Sequence, residues 1–302
     1  MRALITGSTG FIGSRLIKKL ELLGYDLRVI ARKPVPGIET ITLDLEHSKI
    51  PSEALDGVDT IFHLAGYAHD LREKSKFEKL YYLINVDSTV SLAKLAVKNK
   101  VKKFIFVSTV KAGPLPNNGQ CISEDDKGDP VGIYGKTKRD AEINLLNIAR
   151  HHMHVSIIRS SLVYGPNLKG NLQLMFSGIR SGWFPPLPEI GNRRSMIHVD
   201  DLVRAIVFVA NKNETNGQIY IATDGTPYSS REVYDAMRFL MGKTSITWHV
   251  PRFLFKLASL TSKSMKYKVN KLLGDECYSS KKLHSIGFRP MKTIKDMNET
   301  SY

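Results

Sequence analysis

Three glycines set the frame. Gly7-Ser8-Thr9-Gly10-Phe11-Ile12-Gly13 follows a short β-branched run at residues 3–6. It opens residues 11–23, where Phe11, Ile12, Leu16, Ile17, Leu20 and Leu23 recur at helical spacing. Small residues at a strand-to-helix turn let the backbone approach an anion, and the helix N-terminus adds oriented N–H donors. Alone, such a glycine string says little. Between a first strand and a first helix it reads as a cradle for the pyrophosphate of a dinucleotide, built by Gly7, Gly10, Phe11, Ile12 and Gly13.

The first half of the chain continues this alternation. Strands are expected at residues 27–31, 38–43, 60–64, 104–108 and 155–159. Helices are expected at 77–99, as one long element, and at 133–150. Near-continuous apolar strands between helices mean a parallel sheet covered on both faces, in an α/β fold. From 163 to 192 four prolines and five glycines predict mostly irregular chain. A helix over 202–211 is expected behind a capping Asp200-Asp201, then a strand at 218–222. Ser229-Ser230-Arg231-Glu232 is a capping box that opens a further helix.

The second strand ends Val29-Ile30-Ala31-Arg32-Lys33. An acid there would bond an adenosine ribose and repel a 2′-phosphate, whereas a guanidinium pairs with that phosphate. Arg32 therefore favours NADP(H), with NAD(H) still allowed. Tyr134 and Lys138 stand at i and i+4, on one helix face. A free phenol titrates near ~10. A neighbouring ammonium would lower that value and make proton exchange with an alcohol or ketone feasible. Upstream, residues 104–109 read as a buried strand ending in two hydroxyls, Ser108 and Thr109, either able to hydrogen-bond a reacting oxygen beside Tyr134.

In these motifs, over nearly its whole length, the chain resembles the extended short-chain dehydrogenase/reductases of the nucleotide-sugar epimerase/dehydratase group. The resemblance implies a Rossmann-type doubly wound parallel sheet with a smaller, discontinuous α/β substrate-binding domain. The cofactor domain would span 1–160 plus about 196–222. The nucleotide-sugar domain would span about 161–195 plus 223–302. Asp44-Leu45 looks like the adenine contact, Leu64-Ala65-Gly66 like the fourth-strand cofactor wall, and Asn85 like the helix Asn that braces the site. Asn171 and Leu172 resemble the segment that binds the nucleotide phosphates, and Arg194 the arginine that pairs with a UDP diphosphate.

Thr109, Tyr134 and Lys138 would then work at sugar carbon 4: Thr109 holding the oxygen, Tyr134 exchanging its proton, and Lys138 tuning Tyr134 and holding the ribose. Dehydratases of the group follow that Thr with Asp-Glu, and here Val110-Lys111 follow. The continuation resembles a surface-polysaccharide subgroup of 4-epimerases and 4-keto reductases. An NADPH-dependent 4-keto reductase is the first expectation, a UDP-hexose 4-epimerase the second, and a non-catalytic NADP(H)-binding sensor the remote one. A homodimer is also expected.

The 302 residues hold 44 Lys and Arg against 29 Asp and Glu, a net charge of +15. Residues 241–302 account for +8 of it. There the stretch 252–271 alternates basic and apolar residues. It reads as a solvated helix over an anionic-ligand site, as a peripheral membrane contact, or as a nucleic-acid surface. No DNA or RNA motif accompanies the charge, so no nucleic-acid partner is expected. Cys121 and Cys277 are too few for a disulfide scaffold and lack metal spacing. His151, His152 and His154 straddle a helix end, so no metal site is expected. Residues 1–7 run straight into the first strand, and a cytoplasmic, reducing location is the expectation.

Overall fold

The structure, a computed structural model, describes residues 1–68, 74–116, 119–168, 170–244 and 246–296. It opens with β1 (Arg2–Thr6), α1 (Gly13–Leu22), β2 (Asp26–Ala31), β3 (Glu39–Thr42) and β4 (Thr60–His63). Next come α2 (Lys74–Tyr82), a π-helical turn (Leu83–Asp87), α3 (Ser88–Lys98), β5 (Lys103–Thr109), α4 (Gly132–Ala149) and β6 (His154–Ser160). Seven strands form one sheet in the order β3-β2-β1-β4-β5-β6-β9, every neighbouring pair parallel, with β9 at Gln218–Ala222.

Parallel pairing follows from burial on both faces. On one face Ala3, Ile5 and Val29 pack with Leu16 and Leu20 of α1. On the other, Leu4, Ile61 and Phe104 pack with Leu92 of α3 and Leu145 of α4. Strand order reverses between β1 and β4. Their carboxyl ends diverge there into the crevice where sheets of this kind bind ligands.

A second unit is built from β7 (Leu162–Tyr164), α5 (Gly170–Arg180), β8 (Arg194–His198), β10 (Pro227–Tyr228) and α7 (Ser230–Leu240). Its three-stranded sheet, β10-β8-β7, carries a separate core of Tyr164, Leu172, Met175, Met196, Tyr234 and Met237. α6 (Val199–Ala210) lies between β8 and β9 in the chain and joins the core of the large sheet. The tail runs through α8 (Arg252–Leu260), α9 (Lys263–Leu273) and α10 (Lys281–Ser285), whose Leu283 also joins the large sheet's core.

Several expectations need correction. The single helix expected over 77–99 is two helices joined by the π-helical turn. A π turn inserts an extra residue into the helical register, which apolar spacing alone does not reveal. Residues 163–192 are irregular over more than half of their described length, as expected, but hold one helix that was not: α5 forms because Leu172, Met175 and Ile179 share a buried face. The stretch 252–271 forms two helices. α6 begins at Val199 and is capped by the His198 ring, which accepts from Asp200 N–H. Asp200 instead pairs with Arg15 and Lys292, and buried Asp201 accepts from the backbone of Met291 and Lys292. Cys121 and Cys277, too few for a disulfide scaffold and read beside an expected reducing location, are joined by one disulfide across 156 residues, because the fold brings the 119–123 loop against the tail. Among the described residues, no helix is long and apolar enough to cross a membrane, and no group of His, Cys, Asp and Glu is arranged to hold a metal ion.

Candidate active site

The glycine loop leaves β1 with Gly7 at φ +71°, a left-handed conformation that favours glycine. A Cβ there would lie 2.7 Å from Ala65 N, so Gly7 also lets the loop press against the end of β4. This brings the phosphate cradle against the expected wall of Leu64, Ala65 and Gly66. α1 has no side-chain cap; Ser14 and Arg15 N–H already donate to Gly10 O and Ile12 O, so an anion would be met by the loop's N–H groups ahead of Ser14. Ser8 Oγ in the loop and Ser108 Oγ at the end of β5 are buried without a hydrogen-bond partner among the described residues. Orphaned donors and an uncapped helix fit a dinucleotide lying across this crevice. At the far edge Leu43 N–H donates to Ala31 O, which sets Arg32 and Asp44 on neighbouring strand ends. Arg32 is exposed and has no ion-pair partner among the described residues.

The chemistry-bearing residues meet at the carboxyl end of β5. Thr109 ends that strand, and its Oγ1 accepts from Lys111 N–H at 3.3 Å. Tyr134 and Lys138 ride on α4, which comes unusually close. Val131 N–H donates to Lys111 O at 2.8 Å, and a Cβ on Gly135 would collide with that same carbonyl. Gly135 is thus what lets Tyr134 come near Thr109. Burial, aided by the Tyr81 phenol, pushes Tyr134 up to about 12, and the nearby Thr109 hydroxyl pulls the other way. Lys138 is buried, donates to Val107 O at 2.9 Å and lies 3.8 Å from the centroid of the Phe106 ring. Burial brings its ammonium down to about 7. The expected lowering of the phenol by Lys138 is therefore not present in this structure. Desolvation dominates the phenol, and the ammonium is committed to the strand carbonyl.

Asn85 stands on the π-helical turn. It receives Tyr67 N–H at 2.7 Å, donates to Tyr67 O, and donates to Thr137 Oγ1 at 3.0 Å. It so ties α4 to the segment after β4. Gly66 sits where these parts converge: a Cβ there would lie 3.2 Å from Asn85 Oδ1 and 3.9 Å from Lys138 Nζ. Beneath it runs a polar chain that sequence reasoning missed. Ala65 N–H donates to Thr6 Oγ1, which bonds His63 Nδ1 at 2.6 Å. His63 Nε2 bonds Thr89 Oγ1 at 2.9 Å, and Thr89 donates to Asn85 O. His63 is fully buried, stacked on Phe106, and driven down to about 3, first by burial and then by Lys138. The signal was a lone imidazole within an otherwise apolar strand. Tyr81, 6.4 Å from Tyr134 and 4.9 Å from Tyr67 between ring centroids, was also missed.

The expected substrate residues are less tightly grouped. Asn171 is exposed in the first turn of α5, whereas the Leu172 side chain is spent in the core of the smaller unit. Arg194 is buried, and its guanidinium serves the protein. It donates to Ser230 Oγ at 2.9 Å and to Lys271 O, and pairs with Glu276 at 3.3 Å. Arg193, by contrast, lines a cleft of about 620 Å³ with Cys121, Ser195, Thr223, Tyr278 and Lys281. Thr109, Tyr134 and Lys138 do not line that cleft.

Comparison with known proteins follows the same architecture. The family model described as the NAD dependent epimerase/dehydratase family matches residues 3–222. A UDP-glucose 4-epimerase from Vibrio cholerae is 30% identical over 97% of this chain and 92% of its own. An N-acetyl-alpha-D-glucosaminyl-diphospho-ditrans,octacis-undecaprenol 4-epimerase from Escherichia coli O157:H7 is 26% identical over 94% and 89%. Among solved structures, the UDP-glucose 4-epimerase of Thermotoga maritima with UDP-glucose superimposes with a TM-score of 0.82 at 20% identity, over 100% of this chain and 97% of that one. MoeE5 in complex with UDP-glucose and NAD gives 0.80 at 22% identity over the same shares. At that identity the structural likeness speaks to the fold.

Proposed function

The chain belongs to the NAD dependent epimerase/dehydratase family, and from that premise we propose that it is an oxidoreductase working at carbon 4 of a UDP-linked hexose, with 4-epimerisation the best-supported reaction. The observation that carries the reading is the meeting of Tyr134 and Thr109 at the end of β5, with Lys138 one turn further along α4. Tyr134 acts as the phenolate, taking the proton of the sugar 4-hydroxyl and later returning it, which requires Lys138 to turn from Val107 O toward the phenol so that its proton is lost to solvent first. Thr109 holds the 4-oxygen. Lys138 and Asn85 position the nicotinamide ribose and the helix that carries Tyr134. A bound nicotinamide supplies the hydride acceptor and donor for carbon 4. Gly7, Gly10, Phe11, Ile12, Gly13 and Ser108 border the cofactor, with Leu64, Ala65 and Gly66 as its wall and Asp44 and Leu45 at the adenine end.

Sequence alone favoured a 4-keto reductase. Both relatives above are named 4-epimerases, and that moves epimerisation ahead. The reductase remains the second reading because Arg32 is open to a 2′-phosphate, and NADPH is the ordinary reducing cofactor. NAD is the cofactor of the solved neighbour. Arg194, with Asn171 and the backbone at Leu172, is proposed for the diphosphate. To serve it, Arg194 must exchange its bond with Glu276. The proposal also includes the two-domain division of labour, a cytoplasmic homodimer serving surface-polysaccharide synthesis, and contact of the basic C-terminal region with a membrane.

Purified protein incubated with UDP-glucose and UDP-N-acetylglucosamine without added cofactor, and separately with a UDP-4-keto-hexose and NADPH, decides between the readings. Interconversion of 4-epimers without added reductant is the expected result. NADPH consumed in step with a 4-keto sugar makes it a reductase. No conversion under either condition overturns the proposal.

A further inference from the structure

From Lys243 to Gly274 the chain carries seven Lys and Arg and no Asp or Glu. α8 and α9 pack against each other within this stretch. Phe255 of α8 and Val269 of α9 turn inward to the core of the smaller unit. The opposite face is apolar and uncovered. Phe253, Leu257 and Leu260, at i, i+4 and i+7, are 59%, 56% and 80% exposed. Arg252, Lys256, Lys263, Lys266 and Lys268 are exposed around this ridge. None of them enters an ion pair among the described residues.

An apolar ridge with a cationic fringe suits a particular occupant. A second copy of the chain would bring the same cations face to face. A nucleic acid would neutralise the cations yet leave the leucines and phenylalanine without an apolar partner. An anionic bilayer satisfies both halves, since acyl chains take the ridge and headgroups take the fringe. α9 also approaches α2 and the chain after β5: Tyr267 lies close enough to Tyr81 to feel its charge, and Lys271 close enough to feel Lys111, two residues from Thr109.

We infer that the outer faces of α8 and α9 form a docking surface for an anionic phospholipid bilayer. This rests on the function proposed above, which already includes a membrane contact, and adds the anionic lipid class and the contact residues.

The test is co-sedimentation of the full chain with phosphatidylcholine vesicles, with and without one third phosphatidylglycerol. The protein should sediment with the anionic vesicles and much less with the neutral ones. Leu257→Glu with Leu260→Glu, and separately Lys256→Glu with Lys266→Glu, should each weaken binding about tenfold or more. Both pairs lie on exposed positions, so melting temperature should stay within about 3 °C and turnover of soluble UDP-hexose within about twofold of the parent. Failure of the parent to sediment, sedimentation of both double variants like the parent, or tighter binding to a single-stranded RNA than to vesicles overturns the inference. Docking without turnover of any UDP-hexose overturns the proposed function and leaves the docking surface standing.

Discussion

Tyr134 and Lys138 are driven apart from the range near ~10 that both side chains ordinarily share: the phenol stands at about 12 and the ammonium at about 7, both because burial penalises their charged forms. Tyr134→Phe should abolish turnover and leave nucleotide affinity nearly unchanged, since in the proposed reading the glycine loop takes the pyrophosphate and the phenol oxygen carries the proton. Fluorescence titration beside product assay checks this, and turnover within about threefold of the parent would refute it. His63 gives a pH prediction. Its folded value of about 3 lies below the unfolded one near ~6.5. Between those values the unfolded chain binds the extra proton, so stability is lost as pH falls from about 6.5 toward about 3. His63→Gln should flatten the dependence of urea midpoints on pH in that window by up to one proton; an unchanged slope means that another group carries it.

At the scale of elements, α4 is fixed by two contacts that nothing in its own periodicity announces. A Gly→Ala change inside a helix ordinarily stabilises by about 1 kcal/mol. Gly135→Ala should do the opposite, because the new methyl meets Lys111 O. Lower melting temperature with lower kcat is the expected pair of results. The second contact is Arg159 with Glu142, a buried two-pronged bond of 3.0 and 2.6 Å joining β6 to α4. Glu142→Gln leaves a buried guanidinium short of its counter-charge and should cost about 3–5 kcal/mol by denaturant titration.

What was legible in the chain follows the same line. β1, α1 and the glycine loop were readable because strand, helix and turn signals are local and contiguous. So were Thr109, Tyr134 and Lys138, on neighbouring elements. The π turn under Asn85, the close seat of Gly135 and the His63 chain depend on which elements touch, and apolar spacing carries no record of that. Arg194 was read from its neighbours in sequence, and its bonds to Ser230 and Glu276 come from chain 36 and 82 residues away.

For the whole molecule, the two cores and the covalent link set what holds together. Closing a loop this long removes freedom from the unfolded chain and contributes about 2–4 kcal/mol. A phosphine reductant should therefore lower the melting temperature of the parent, and leave a Cys121→Ser, Cys277→Ser double variant unmoved. Equal shifts in both would count against the link. In topological terms the protein is a ring with two tails: residues 121–277 close on themselves, residues 1–120 hang from one side and 278–302 from the other. Tyr134 and Lys138 belong to the ring, whereas the phosphate cradle and Thr109 belong to the first tail. A protease that nicks the ring once opens it without releasing a fragment, so on a gel the cut chain runs as two pieces only after reduction, while a single nick in the first tail frees a fragment in either case.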